Sequence, residues 1–588
     1  MKAVVSAKVR RFPQSTDLNG STLLPPTLPF HRPVRAALRW VVAPLSTLMA
    51  ATVVLGGSGP ADAASAKPAV TRSAFYFGAA SPINFWSSDL SGAPAAFQQI
   101  KSDGFNAVEL IVPWGEFQES VSPATYNAAA FKSLGSLVAL AKATKLEVIL
   151  RLSYGVDTDP HDQAPNRSVS VFANQTVYNA WLGYISHVHQ AVAKYNDVQI
   201  AQLSWEDFWN PVAEAQAATT VAQRVQLAPT TGFLPWLKSN YSLAQVSKMY
   251  GAKYTSWSSV PTPSPTSPSF KLMYQYDDYQ LVHRFFVPAA ARFPGLNLEA
   301  RVDIDPLYSG TKVVGSYSHA DTFKLPGTSY IGMYFSPYLG DPSTALTETT
   351  TDALAALNNT LASMRIRAGG RPLFIFEYEI VSNSPEVADD PGLPASAVPS
   401  FILASAPILR KYTIGYSLWT YHDYAQSPLY NPSFALGTDG WTITGTATAA
   451  KAAGSSLSLG AASTITQQFP LNYLAANPGS DVTVSMSATA PAGSSSTMTV
   501  KVGTAPTRSF SVSGAQRTYA VQIPTSEIIG LPNSALTITS TAPVSITNVQ
   551  ISDFTQLGDI YSVDGTPGVG AAPLRTLNQQ LATGTSGS

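Results

Sequence analysis

The sequence predicts a (β/α)8 barrel followed by an all-β sandwich, and three observations carry that expectation. From about Thr71 to Tyr424, short β-branched or aromatic runs alternate with helical stretches, the pattern of parallel strands joined by crossover helices. Eight such runs fall within about 350 residues, which suits a barrel with insertions. After Tyr424 the composition changes, because residues 431–557 are rich in Ser, Thr, Ala and Val in short runs punctuated by Gly and Pro, with Trp441 the only Trp.

The eight candidate strands are Ala74–Gly78, Ala107–Val112, Glu147–Leu152, Val198–Ser204, Asn297–Val302, Tyr330–Tyr334, Leu373–Phe376 and Thr413–Trp419. A doubly wound sheet is the competing arrangement, but Phe77-Gly78-Ala79-Ala80 after the first strand lacks the G-x-G-x-x-G spacing that such folds use to hold phosphates. The longest connection, Asp207 to Phe270, contains a helical patch at 232–250 and ends in Pro261-Thr-Pro-Ser-Pro-Thr-Ser-Pro, read as a stiff surface loop. An elaborated loop after strand four would border the barrel mouth.

The domain boundaries follow: an export signal over 1–63, the barrel over 71–428, the sandwich over 429–557 and a partly disordered tail over 558–588, in which the segment from Leu574 to Leu581 could dock back as a short helix. The signal is read from seven basic residues (Lys2, Lys8, Arg10, Arg11, Arg32, Arg35, Arg39) ahead of an apolar stretch from Trp40 to Gly57 and an Ala-Asp-Ala sequence at 61–63. Pro44 interrupts that stretch, which favours cleavage near Ala63 over a membrane anchor and implies a secreted protein with no membrane association afterwards. The full chain of 588 residues has a formal net charge of 0; without residues 1–63 it keeps 29 basic against 34 acidic residues, a net charge of −5. That balance leaves no basic footprint for nucleic acid. Zero cysteines exclude disulfides and thiol chemistry, so stability must come from a large apolar core, and 45% hydrophobic content makes one feasible.

Groups at the C-terminal ends of barrel strands surround the mouth, so polar residues directly after an apolar run are the candidates for chemistry. Strand four gives Leu203-Ser204-Trp205-Glu206-Asp207, and strand seven gives Phe374-Ile375-Phe376-Glu377-Tyr378-Glu379. Two carboxyl groups roughly 5–5.5 Å apart are what glycosidic hydrolysis with retention requires, one protonated for the leaving oxygen and one ionised to attack the anomeric carbon. Neighbours such as Trp205 or Trp209 would help raise the acid's pKa.

Here the chain resembles the clan A glycoside hydrolases over most of residues 75–424. Arg371-Pro-Leu-Phe-Ile-Phe-Glu377-Tyr is similar to their strand-seven pattern, which implies Glu377 as nucleophile and Glu206 as general acid/base. The Gly that commonly follows is replaced by Glu379, an alternative nucleophile, because alternation puts both Glu residues on one side. The stretch from Asn106 through Trp114, Glu116 and Glu119, followed by Leu146–Arg151, is similar to strands two and three of the clan's β-galactosidases. Phe233–Tyr241 and Tyr250–Trp257 resemble the segment after strand four in the same enzymes. Tyr330-Ile-Gly-Met-Tyr334 resembles strand six, which implies a Tyr beside the nucleophile, and Gly415-Tyr-Ser-Leu-Trp419 resembles strand eight, which implies a Trp flooring the scissile sugar's subsite.

The clan usually has Asn before the acid/base, where it holds the sugar 2-hydroxyl, and this chain has Trp205. That departure implies either a sugar with a different 2-position, such as a manno-configured one, or a compensating group such as Asp207 or Asn210, and it keeps open a Glu206 that is not catalytic. The expected substrate-binding residues are therefore Trp419, Trp205, Tyr334, Trp114 and Asp207, with no cofactor and no metal. Trp86 and Trp209 are further stacking candidates that could also be ordinary core, with Trp419 and one of Trp205 or Trp209 favoured as platforms. His161 and His422 are read as hydrogen-bonded structural groups, and Asp157, Asp159 and Asp162 lack compact metal-ligand spacing. Asp303 and Asp305 would bind substrate hydroxyls or pair with Arg301, while Tyr276, Asp277, Asp278 and Tyr279 are read as a solvated helix face.

The sandwich opens with Asn431-Pro-Ser-Phe434-Ala-Leu-Gly437-Thr-Asp-Gly440-Trp441, which resembles the first strand of carbohydrate-binding modules, and Trp441 is expected in its core. The aromatics Phe469, Tyr473, Phe510, Tyr519 and Phe554 form no evident platform, so sugar binding and a spacer role stay equally open. The resulting expectation is a secreted retaining glycoside hydrolase acting on an oligo- or polysaccharide. Its rivals are a catalytically silent carbohydrate-binding protein and a transglycosylase using the same pair. Sugar identity, linkage, exo or endo action and oligomeric state lie beyond the sequence.

Overall fold

The computed structural model describes residues 70–78, 82, 85–153, 167–195, 198–204, 208–300, 306–310, 312–325, 330–337, 349–380, 393–425, 427–450, 455–470, 481–528, 533–552, 555–556 and 560–583. The expected export signal lies outside them. No helix among the described residues is long and apolar enough to cross a membrane.

Eight parallel strands form one sheet: β1 (Thr71–Phe75), β2 (Ala107–Val112), β3 (Glu147–Leu152), β4 (Val198–Leu203), β5 (Leu296–Leu298), β6 (Ile331–Phe335), β7 (Leu373–Glu379) and β8 (Thr413–Trp419). Their order is β6-β7-β8-β1-β2-β3-β4-β5, and a parallel bridge from Glu299 to Gly332, with Ala300 N–H donating to the Gly332 carbonyl at 2.7 Å, joins the two edges. The sheet is therefore a closed barrel, as the strand–helix alternation predicts.

Three strands differ from expectation by three residues or more at one end. β1 begins three residues early because Arg72 is accommodated there, its guanidinium donating to the Val70 and Gly104 carbonyls at 2.6 and 2.9 Å. β5 is short, and β7 runs on through Glu377 to Glu379. The β7 register slips between Ile375 and Tyr378 against β8, and between Met333 and Tyr334 against β6. This bulge leaves Ile375 and Tyr378 in the outer core while Phe374 and Phe376 fill the barrel interior with Ala107, Ile149, Ile200 and Tyr330.

Helices α1 (Ala93–Ser102), α2 (Ala128–Ala143) and α3 (Gln175–Val192) follow the first three strands. Asn127 and Asn174 cap α2 and α3 by accepting backbone N–H groups. The connection after β4 holds α4 (Asn210–Ala217), α5 (Val221–Thr230), α6 (Phe233–Asn240), α7 (Leu243–Tyr250) and α8 (Lys271–Gln280), with capping boxes at Thr220/Gln223 and Ser242/Gln245. Its Pro-rich stretch is not a free surface loop. Val260 and Thr262 are buried, the Pro261 carbonyl accepts from Tyr250 OH at 3.0 Å, and Thr262 N–H donates to the Arg224 carbonyl at 3.0 Å. Residues Tyr276, Asp277 and Asp278 are likewise buried rather than solvated, and Asp278 accepts the Asp321 and Thr322 amides at 2.9 and 3.1 Å.

Between β5 and β6 the described residues form a hairpin (Pro306–Ser309 with Lys312–Ser316) and one short helical turn, Ala320–Phe323. Helices α9 (Thr350–Arg367) and α10 (Val398–Tyr412) follow β6 and β7.

After β8 the chain leaves for two five-stranded antiparallel sheets between Thr442 and Ser552, whose alternating inward residues bury Trp441, Phe434 and Phe469 in one apolar core. It then returns. Helix α11 (Ala571–Thr583), in the segment expected to be partly disordered, packs against α10. Arg575 Nε meets Asp103 Oδ1 at 2.8 Å, Asn578 Nδ2 donates to the Asp103 carbonyl at 2.9 Å, and Tyr416 OH of β8 donates to Asn578 Oδ1 at 2.5 Å. Gly104, at φ +84°, takes Asn578 so closely that a Cβ there would stand 2.9 Å from the Asn578 Cβ. The eighth helix position of the barrel is thus filled from beyond the sandwich.

Candidate active site

Alternation along the strands aims Glu109 and Ala107 of β2, Ile149 and Arg151 of β3, Ile200, Gln202 and Ser204 of β4, and Asn297 and Glu299 of β5 toward the barrel interior. The lower layer is apolar and the upper layer is charged. Arg151 is 1% exposed, Glu109 and Glu299 are 0% exposed, and Glu377 is 6% exposed, so four ionisable groups share a desolvated space.

Their bonding is specific. Arg151 Nη1 is ion-paired with Glu377 Oε1, and its Nη2 donates to Ser204 Oγ at 2.9 Å. The Ser204 hydroxyl in turn donates to Glu299 Oε2 at 2.5 Å. Gln202 Nε2 donates to Glu109 Oε1 at 2.9 Å. The Arg151 guanidinium also lies 5.4 Å from the centroid of the Phe376 ring. The bulge in β7 makes this possible, because it turns Glu377 inward directly after the inward Phe376.

One guanidinium among several carboxyl groups cannot compensate them all as anions. Burial pushes Glu109 up to about 8; Ser417, Arg151 and Gln202 partly offset the rise, and the charge of Glu377 adds to it. Burial thus favours the neutral acid at Glu109.

Nearer the mouth, Tyr334 OH of β6 donates to Glu379 Oε2 at 2.8 Å. The strand-six tyrosine therefore meets Glu379 directly, whereas Arg151 meets Glu377. In register Glu379 lies beside Trp419, the half-buried residue that ends β8. The Trp419 ring packs edge-on against Phe75 at 4.9 Å and near Phe77 and Tyr424 at 6.1 and 5.9 Å, a rigid wall that leaves part of the indole at the mouth.

Other expected contacts fall elsewhere. Trp114 is 2% exposed, donates its indole N–H to Gln118 Oε1 at 2.7 Å and carries Arg167 over its ring at 5.0 Å, so it packs rather than lining the mouth. Trp86 is buried with its N–H on the Ile111 carbonyl at 2.8 Å, and Trp209 is buried in a stack with Tyr274. His422 is a structural group, its Nδ1 2.9 Å from the Asp423 carbonyl oxygen and its pKa lowered by burial. Trp205, Glu206, Asp207, Asp157, Asp159, His161, Asp162, Arg301, Asp303 and Asp305 lie outside the described residues. Among the described residues no cluster of three or more His, Asp or Glu is arranged to hold a metal ion.

Sequence reasoning missed Glu109, Gln202, Ser204 and Glu299 as site residues. The available signal was charged or amide residues at inward positions of strands that otherwise read as apolar, as in Ala107-Val-Glu109-Leu and Ile200-Ala-Gln202-Leu.

No family model matches the sequence, and no curated protein matches it. Among solved structures, the chain is similar to an exo-β-1,4-mannosidase from Opitutaceae bacterium strain TAV5, with 15% identity over 60% of this chain and 53% of that one at a TM-score of 0.38. It is also similar to a β-galactosidase from the psychrophilic Marinomonas ef1, with 12% identity over 61% and 55% at 0.39. A GH5_18 protein from Streptomyces cattleya in complex with GlcNAc is similar at 13% identity over 60% and 72%, with a TM-score of 0.36. The chain thus spans about half the length of the mannosidase. Superpositions this loose bear on neither activity nor substrate.

Proposed function

We propose that the chain is a secreted retaining glycoside hydrolase in which Glu377 attacks the anomeric carbon and Glu206 serves as general acid and then general base. The observation that carries the reading is the inward Glu377 at the end of β7, paired with the buried Arg151, since an adjacent guanidinium favours the ionised carboxylate that attack requires. Glu206 follows β4 by three residues and would protonate the departing oxygen; after the glycosyl-enzyme forms it would activate water. Trp419 would floor the sugar from β8, and Trp205, standing where the clan has Asn, would face its 2-position. Glu379, with Tyr334, would hold a hydroxyl of the same sugar.

Hydrolysis of a panel of aryl glycosides, including β-mannosides and β-galactosides, tests the class; binding without turnover on every member would leave a silent carbohydrate-binding protein. An activated 2-deoxy-2-fluoro glycoside should leave its adduct on the peptide carrying Glu377, at that residue. An adduct on Glu379 would exchange the two roles. Azide should restore turnover to Glu206→Ala, and no rescue would remove Glu206 from the acid/base position.

A further inference from the structure

We propose that Ser204 is a positioning residue that aligns Arg151 against Glu377, with Glu299 orienting its hydroxyl, so that the end of strand four and the nucleophile on strand seven are held by one buried chain of bonds. The inference rests on the glycosidase reading for its kinetics, but the arrangement itself is independent of it.

The chain links four strands: Glu299 directly after β5, Ser204 directly after β4, Arg151 on β3 and Glu377 on β7. A serine hydroxyl has one proton and two lone pairs, and here the proton goes to Glu299 while a lone pair accepts Arg151 Nη2. That division fixes the direction of both bonds. Arg151 then presents Nη1 to Glu377 from a guanidinium that, among the described residues, is braced by Ser204 and by the Phe376 ring below it. Without the hydroxyl, Nη2 would face a methyl group in a space that water does not freely enter, and the guanidinium would turn toward Glu299 or Glu109 instead.

Ser204 also stands two residues before Glu206 in the sequence. Among the described residues, those around Arg151 include Glu109 on β2, Glu299 directly after β5, and Phe376 and Glu377 on β7, with Tyr330 beside Glu109 just before β6 and Glu379 with Tyr334 above.

The test is steady-state kinetics of Ser204→Ala, Ser204→Thr and Glu299→Gln in the full chain across pH, on the best substrate of the wild type. Ser204→Ala should lower kcat roughly 10- to 100-fold with KM changed by less than about threefold, since misplacement of a reacting group by an ångström costs that much. It should also move the acid limb of the pH profile upward, because the guanidinium no longer holds Glu377 ionised. Ser204→Thr, which keeps the hydroxyl, should recover most of the rate. Glu299→Gln removes a carboxyl group that competes with Glu377 for Arg151 and should move the acid limb the other way, which keeps the inference testable if Ser204→Ala does not fold. An unmoved acid limb in both variants, or a kcat for Ser204→Ala equal to that of an active wild type, would overturn this role alone. A wild type inactive on every glycoside would overturn the enzymatic reading and this role with it.

Discussion

The barrel and the sandwich are built from the same kinds of strand residues yet treat charge in opposite ways. Among the described residues of the sandwich no Asp, Glu, Lys or Arg is buried, its buried polar side chains are uncharged ones such as Gln467 and Ser540, and in Asp481–Thr489 buried positions alternate with more exposed ones. The barrel interior holds Glu109, Arg151, Glu299 and Glu377 at 6% exposure or less. Burying a charge costs several kcal/mol even when it is paired, so a domain selected for stability alone would not keep four ionisable groups there. The difference puts the buried ionisable groups in the barrel, where the proposed chemistry would take place.

Replacing the charged layer should break activity before it breaks the fold. Glu377→Ala should lower turnover by at least about 1,000-fold with near-UV circular dichroism unchanged. Comparable loss from a core change in the sandwich would mean that the site is shared between the domains.

Helix α11 sharpens the comparison differently, since it follows the sandwich in sequence and completes the barrel in space. It buries Ala571, Leu574, Leu577 and Leu581, and Asn578 joins Tyr416 and Asp103. At roughly 1.5–3 kcal/mol per buried Leu, deletion of residues 571–588 should lower the barrel's melting temperature by about 10 °C or more while leaving the sandwich transition in place. A deletion that melts only the sandwich transition early would contradict that assignment.

Glu109 gives a smaller effect with a definite sign. Its carboxyl is raised to about 8 in the folded chain. The stability it contributes is therefore fully present below the pKa of the unfolded chain, about 4.3, and is lost as pH rises toward 8. Glu109→Gln should match the wild type in thermal stability near pH 4, gain on it steadily up to about pH 8 and hold a constant lead above that. Parallel melting curves across this range would show that Glu109 is already ionised in the fold.

The smallest effect is expected on the sandwich surface. Phe510 and Tyr519 stack at 4.9 Å between centroids, half-buried against the core, a pairing on two different strands that the sequence alone did not reveal. Phe510→Ala should cost about 1 kcal/mol in the sandwich and leave turnover of a soluble substrate unchanged. A fall in turnover only on a polysaccharide would instead give this pair a role in holding substrate.

Much of the architecture was legible in the residues. Strand runs such as Ala107–Val112 and Glu147–Leu152 match their observed limits, because a strand buried on both faces reads as a continuous apolar run. The composition change after Tyr424 marks the sandwich equally well. Misread segments are ones whose hydrogen-bonding groups are satisfied by tertiary partners: Arg72 inside β1, the Pro261–Thr262 stretch packed under Tyr250, and Asp278 capping a distant helical turn.

Reading along the chain is enough to place carboxylates shortly after the apolar run of strand four and in strand seven, and Trp419 at the end of strand eight, because local runs and the residues that follow them need no partner to be read. Only the tertiary structure decided that Arg151 meets Glu377, that Tyr334 meets Glu379, and that Ser204 and Glu299 stand behind Arg151. Those pairings depend on barrel closure and on a one-residue slip in β7. Neither leaves a mark in the spacing along the chain, since strands that are neighbours across the barrel can be more than two hundred residues apart in sequence, as Arg151 and Glu377 are, separated by 226 positions.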